Sequence, residues 1–457
     1  MRVVINVEGD RILELFEKAP IHKAYFKLAL PVVLGTVVSM IYNLTDTFFV
    51  AQTQNANLVA GITLCTPLFS MMIALGDMFG LGGSSAISRL LGQRKYDLAG
   101  RINSFCFYGA LVLGIVVTAG LFIFKGQVLN WLGVTHATYQ YAAIYYEIMA
   151  AAGILIIVSL VPINTLRTEG LATESMIGTA TGTVLKIFLD PLFIFGFHLG
   201  AAGAALATVV GYLVTDSILL AYTIRRARYI HVHIHKMKIP GIEVKDVLMI
   251  GIPASVTNFM TMLGTALMNN FLIVYGASKV AGFGIATKVE AIVTMVLVGF
   301  CFGSQALIGY NYGAKNKERL KKIIQFDILV NAGFAFAIAL VLIAVAPWLC
   351  GFFMKDQQVV HAASYMLRWF LLTTPFIGIS LVFTTMFQSV NQPLDAFVMS
   401  ISRQGVVFVV VIFIVANLMG YQGVIVSQPI ADVITAGIGL WLYYKDFGPN
   451  GRAIRNW

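Results

Sequence analysis

The chain has 457 residues, of which 58% are hydrophobic and 11% charged, and it carries a formal net charge of +10. Soluble domains carry about 25% charged residues, so a soluble enzyme or binding module is excluded and an integral membrane protein is indicated. The apolar residues come in helix-length runs and not in short alternating strands, which excludes a barrel.

The N-terminal segment Met1–Pro20 mixes acidic and basic residues with no apolar stretch. It reads as a short amphipathic helix with no cleavable leader. A membrane span needs about 20 apolar residues at 1.5 Å each. On that ruler twelve spans are expected, at 26–50, 57–80, 102–124, 139–164, 176–197, 201–224, 247–275, 280–308, 325–350, 362–387, 396–417 and 422–444. The fold class is therefore an all-α integral membrane protein of twelve transmembrane helices. The expected organisation is an N-terminal segment 1–23, a six-helix bundle 24–224, a polar linker 225–246, a second six-helix bundle 247–444 and a tail 445–457.

Orientation follows from the 31 basic residues. With the N-terminus inside, 23 fall in internal segments and three (Lys125, Lys279, Lys355) in external loops, while Lys27, Lys186, Lys288, Arg368 and Arg403 lie within spans. This positive-inside bias places both termini in the cytoplasm. It also explains the basic balance: these residues face anionic membrane lipid, and no nucleic-acid partner is expected.

The two halves repeat. Pro31 in the first span has a partner in Pro253 in the seventh. Gly82-Gly83-Ser84-Ser85-Ala86-Ile87 is echoed by Gly303-Ser304-Gln305-Ala306-Leu307-Ile308, and Gly200-Ala201-Ala202-Gly203 by Gly420-Tyr421-Gln422-Gly423. Six spans per half is even, so both halves insert the same way round, as in transporters whose substrate sits between parallel repeats.

Charge at membrane depth marks the candidate site. Leu185-Lys186-Ile187-Phe188-Leu189-Asp190-Pro191 puts a cation and an anion four residues apart, on one helix face. Asp46 adds a second carboxylate in the first span. Such charges usually mark an ion path or a substrate site. Counting at 1.5 Å per residue, Asp46, Asp190 and Thr208 all fall roughly 7–11 Å below the outer surface, so they can share one chamber. Lys288 and Glu290, two apart, point to different faces, and Arg403 is expected among the cytoplasmic headgroups. Asp77 and Glu147 are expected near span ends, in solvent. His231, His233 and His235 alternate but lack the ligand framework of a metal site. Cys65, Cys106, Cys301 and Cys350 read as small buried hydrophobes. No phosphate-binding GxxxxGK[ST] stretch and no hydrolase motif appears, so neither an ATPase nor a membrane enzyme is indicated.

The order of several short stretches resembles the multidrug and toxic compound extrusion (MATE) family, in its prokaryotic DinF-like branch. They are Pro31 followed by Tyr42-Asn43-Leu44-Thr45-Asp46, Leu166-Arg167, Leu189-Asp190-Pro191, Gly203 through Thr208, Gly309-Tyr310-Asn311-Tyr312-Gly313, and Gln428-Pro429-Ile430-Ala431-Asp432. The resemblance spans nearly the whole chain. It implies two pseudo-symmetric six-helix bundles in a prokaryotic inner membrane, opening alternately to either side. It also implies export of amphipathic organic cations in exchange for H⁺ or Na⁺, with no other cofactor. Asp46 and Asp190 match the family's paired aspartates, and Tyr42, Asn164 and Thr208 match positions around them; Asn43 is taken with this group. Lys186 stands where an Asn is common. A tethered ammonium would fill the space of a sodium ion, so proton coupling is favoured. The acidic residues that the sodium-coupled branch carries in spans seven and ten are absent, where Met268-Asn269-Asn270 and Thr384-Thr385-Met386 stand. A lipid-linked precursor flippase and a sodium-coupled exporter are the rival readings, and the protein is expected to act as a monomer.

Overall fold

The computed structural model describes residues 14–234 and 240–448. Residues 14–17 form a helical turn that ends in a bend at 18–20; residues 1–13 of the expected N-terminal helix and His235 lie outside the described residues. Among the described residues, twelve helices are long and apolar enough to cross a membrane. In the first half they are α1 (Ile21–Gln52), α2 (Ala56–Gly92), α3 (Tyr96–Ile123), α4 (Tyr139–Thr168), α5 (Ala172–Gly196) and α6 (Ala201–Arg225). In the second half they are α7 (Gly241–Tyr275), α8 (Ala277–Gly313), α9 (Lys317–Phe353), α10 (Gln357–Ser389), α11 (Pro393–Met419) and α12 (Tyr421–Phe447). All twelve expected spans are present, and most helices overrun them. The α7 helix begins six residues before the expected start at 247, inside the stretch read as linker.

Within the first half α2, α3 and α6 pack on α4, and α5 packs on α1 and α6. The second half repeats the plan: α8, α9 and α12 pack on α10, and α11 packs on α7 and α12. The perimeter helices α3 and α9 carry exposed apolar side chains such as Val112, Val116, Leu340 and Val341. They bury nothing there except against lipid, which is how a helix apolar on all sides is stable.

The halves meet through α1 against α8, α2 against α7, and α2 against α8. These contacts are reciprocal. A Cβ on Gly92 would fall 2.0 Å from the Tyr310 carbonyl, and one on Gly313 would fall 2.0 Å from the Arg89 carbonyl. Only glycine lets the two backbones touch there, and the paired contacts place a pseudo-two-fold axis between α2 and α8. The same duplication shows in the loops. Gly200 and Gly420 precede α6 and α12 with φ of 54° and 57°, a backbone that residues with a Cβ rarely adopt.

The described cross-half contacts lie toward the end of the molecule that carries Ile21 and Phe447, here the terminal end. Tyr25, Ala29 and Val33 of α1 meet α8 and α9, and Ala74 through Gly92 of α2 meet α7, α8 and α10. Toward the opposite end, Leu44 and Phe48 on α1 are exposed. These contacts between the halves gather at the terminal end.

Candidate functional site

Tyr42 and Asp46 lie four apart on α1, and Lys186 and Asp190 lie four apart on α5, so each pair projects from one face toward the other helix. Glycine sets the spacing between α5 and α6. A Cβ on Gly182 would fall 2.0 Å from the Thr215 hydroxyl and 2.4 Å from the Gly211 carbonyl, so the backbones touch one turn before Lys186. Directly after Asp190, Pro191 removes a backbone donor and α5 continues as a π-helical turn, Leu192–Gly196. Such turns inside α-helices recur at functional sites.

Lys186 is the hub. Its Nζ donates to Asp46 Oδ1 at 2.6 Å and to the Tyr42 hydroxyl at 2.5 Å, and it lies 3.9 Å from the Tyr42 ring centroid. Asp190 Oδ2 is 3.5 Å away. One ammonium thus serves two carboxyl groups, and the two carboxyls are close enough to act on each other. They differ in access. The Asp46 side chain is 25% exposed and the Asp190 side chain is 0% exposed. Beyond the lysine, neither Asp190 oxygen receives a hydrogen bond among the described residues. A buried carboxylate in that position is costly unless a proton or a closer cation joins it.

The cluster borders a cavity of about 280 Å³, lined in part by Tyr42, Asn43, Lys186, Thr208 and Tyr212, with Met295 of α8 contributed by the second half. Thr208 bonds back to the Ala204 carbonyl and lies beside Tyr42. Asn43 bonds the Ser39 carbonyl and keeps its side chain at the cavity edge. The cavity wall is mostly apolar, with aromatic and methionine surface, and the charged side chain among its lining residues is the Lys186 ammonium.

The structure therefore brings together Tyr42, Asp46, Lys186 and Asp190, with Thr208 and Asn43 at the cavity. It does not bring Asn164 there. That amide bonds the Leu160 carbonyl and accepts from Arg167 at 3.4 Å, beside a separate small pocket with Ser84 and Gln305 toward the terminal end.

Two expectations for charged residues need correction, and the linker shows a contact of its own. Arg403 does not face headgroups: its Nε donates to Asp432 Oδ1 at 2.9 Å and its Nη2 lies 3.5 Å from Glu290 Oε1, inside the second half. Asp77 is part-buried in the middle of α2 and interacts with Arg167. The linker is not simply a polar loop: Glu169, buried at the end of α4, accepts the backbone N–H groups of Arg228, Tyr229 and Ile230 at 2.8, 2.7 and 2.5 Å. Burial pushes the Glu169 carboxyl up, and the three N–H bonds oppose that shift without cancelling it. His231 and His233 belong to the same strap: Asn103 and Ser104 donate to the His231 carbonyl, and the two rings pack edge to face. The four cysteines are free and buried. Glu147, by contrast, is half-exposed and pairs with Lys125.

A second missed feature sits on the seam between the halves. Asp327 of α9 is fully buried and accepts from Tyr25 of α1 at 2.7 Å, Ser304 of α8 at 2.7 Å and Asn331 at 2.9 Å. Its partners are 302, 23 and four residues away in sequence, and only the charge itself, two residues into the expected span 325–350, could have signalled it.

Comparison with known proteins agrees with this architecture. The family model described as MatE matches twice, at residues 31–192 and 253–414, once in each half. The chain is 30% identical over 436 residues to the multidrug export protein MepA of Staphylococcus aureus (strain MRSA252), covering 95% of this chain and 96% of that protein. It is 29% identical over the same length to MepA of Staphylococcus saprophyticus. Among solved structures, an outward-facing multidrug resistance MATE family transporter of the MOP superfamily superposes with a TM-score of 0.89 at 24% identity, over 94% of this chain and 96% of that one. A MOP superfamily transporter from Pyrococcus furiosus, described as having a binding pocket of reverse polarity, gives 0.88 at 25% identity over the same shares. The double family match and the full-length similarity to MepA establish that this chain belongs to the MATE family of transporters.

Proposed function

We propose that the protein exports amphipathic organic cations from the cytoplasm in exchange for protons, by alternating access. Multidrug export is the activity named for its relatives. The positive-inside bias of the sequence supports a cytoplasmic terminal end, and on that reading the gathering of contacts between the halves at that end corresponds to an outward-open state. The observation that carries the proton reading is the lysine shared by two carboxyls of unequal access.

In the outward-open state water reaches Asp46, and a proton arriving there weakens its hold on the Lys186 ammonium. The lysine then turns toward Asp190, whose oxygens receive no hydrogen bond from the described residues. An organic cation in the cavity competes for the same negative charge, so proton and substrate exclude one another. Each ligand moves the equilibrium between open states only through its differential affinity for them. In this account Asp46 admits the proton, Lys186 relays the charge change to Asp190, and Tyr42 and Thr208 hold the lysine head over the cavity. Pro31 in α1 interrupts the backbone bonding of the helix that carries Asp46, which makes α1 the element that bends.

The test is reconstitution in liposomes with either a pH gradient or a sodium gradient imposed, reading uptake of a fluorescent organic cation. Uptake driven by the pH gradient alone supports the proposal. Uptake driven by sodium in the wild type contradicts it. A gain of sodium dependence in Lys186→Asn would show that the ammonium stands in the ion's place.

A further inference from the structure

The second half holds its own set of one base and two acids, with Asp432 buried and the Glu290 and Arg403 side chains 12% and 18% exposed. Arg403 sits in the π-helical turn Ser402–Val406 of α11, Glu290 on α8 and Asp432 on α12. In both halves the base lies on the fifth helix. The residues are not at matching positions, so the repetition is of charge inventory and not of inherited sequence.

The two acids are unequally served. Asp432 takes the 2.9 Å bond from Arg403 Nε and further bonds from Gln428 at 3.2 Å and Thr373 at 3.3 Å. Among the described residues Glu290 has one polar side-chain contact, 3.5 Å from Arg403 Nη2. Arg403 and Asp432 are the charged groups that act on Glu290. Lys288, two residues along α8, and Arg368 on α10 both point outward and are exposed. One guanidinium facing two carboxylates leaves a net negative charge between the helices, and one proton removes it.

Beside Arg403 lies a cavity of about 50 Å³ whose wall includes Ser380, Ser400 and Thr435. These three hydroxyls are buried and have no hydrogen-bond partner among the described residues. Most other helical Ser and Thr side chains here bond back to a carbonyl one turn earlier, as Thr384 and Ser402 do. Three that do not, facing one space larger than a water needs, point to an ordered polar occupant. We propose that Glu290 is a second proton-binding carboxyl of the transporter, reached past Arg403, which touches Glu290 and also walls the space lined by Ser380, Ser400 and Thr435. A proton passed in from bulk solvent through water in that space forms an O–H bond on Glu290, the relaying water regaining its own proton from behind, and Arg403 stays paired with Asp432. The inference rests on reading the chain as an ion-coupled exporter, but not on which ion loads the first half.

The test is infrared difference spectroscopy of the purified full chain between acid and alkaline pH, following the C=O stretch of protonated carboxyls. The expected result is that Glu290→Gln loses one component, that Asp190→Asn keeps it, and that Ser400→Val slows its hydrogen–deuterium exchange several-fold. Glu290→Gln should also unfold at the wild-type temperature, while Asp432→Asn unfolds earlier. If Glu290→Gln does not fold, Glu290→Asp retains a carboxyl and should shift the component without removing it. An unchanged spectrum in Glu290→Gln, or loss of stability equal to that of Asp432→Asn, would make the cluster a fixed structural pair and overturn the proposal. Failure of the first-half reading would appear separately, as pH-gradient transport that survives in Asp190→Asn.

Discussion

Tyr25 and Asp327 lie 302 residues apart in sequence, yet the tyrosine hydroxyl donates to the carboxylate at 2.7 Å across the seam between the halves. Both residues are fully buried, and Ser304 and Asn331 supply the remaining donors. In the proposed alternating-access cycle, opening the terminal end separates α1 from α9 and breaks this bond. A hydrogen bond to a charged group is worth about 1.5–3 kcal/mol. Tyr25→Phe should shift the population toward the inward-open state about 10-fold or more. Spin labels at Arg101→Cys and Lys322→Cys, both exposed at the terminal end, should report a longer distance in the variant. An unchanged distance distribution would show that the seam is held elsewhere.

Lys186 holds both acids of the first half, with a side chain 5% exposed. Lys186→Met would leave buried Asp190 without a counter-charge. Breaking a buried pair by removing one partner costs about 3–5 kcal/mol, so the single variant should unfold well below the wild type. Adding Asp190→Leu should recover much of that loss by removing the stranded charge. Thermal unfolding in detergent reads both, and a double variant no more stable than Lys186→Met would mean that Asp190 is not the stranded partner.

The contact between α5 and α6 depends on Gly182. In Gly182→Leu the side chain must displace Thr215 or the Gly211 carbonyl, and overpacking of this kind typically costs about 1–3 kcal/mol. It also carries Lys186 away from Thr208. Substrate affinity should fall more than stability, measured as cation binding against unfolding temperature. Equal affinity in a folded variant would remove the glycine contact from the account.

Glu169 ties the start of the linker to the first half. Its folded proton affinity is raised by burial, so in the folded chain it holds a proton to higher pH than in the unfolded chain. The folded state then binds more protons between the ordinary carboxylate range, about 4.3, and the raised value. Its contribution is greatest below that window and declines as pH rises through it. Glu169→Gln should flatten this slope while weakening the strap over Arg228–Ile230. Unfolding temperature measured against pH for both proteins checks it; a parallel slope in the variant would assign the dependence to another group.

The sequence made the membrane architecture legible because each span needs an unbroken apolar run, and because the repeated Gly82 and Gly303 stretches mark the central crossing. It also exposed Asp46, Lys186 and Asp190, since charges inside such runs are conspicuous and two of them share a helix face. Arg403 escaped because it lies only a few residues into its run and reads as an interfacial arginine. Its partners Glu290 and Asp432 sit on other helices, 113 and 29 residues away, and no local spacing connects them. Asn164 was placed by resemblance, not by geometry, and its helix turns it toward Arg167 instead.

The most direct measurement of the central claim is proton release on binding. A saturating organic cation is added to the purified protein in weakly buffered detergent solution, and a pH indicator counts the protons freed. Competition at the Asp46, Lys186 and Asp190 cluster predicts release by the wild type that is lost in Asp46→Asn/Asp190→Asn. Binding without release by the wild type, or equal release by the double variant, would contradict it.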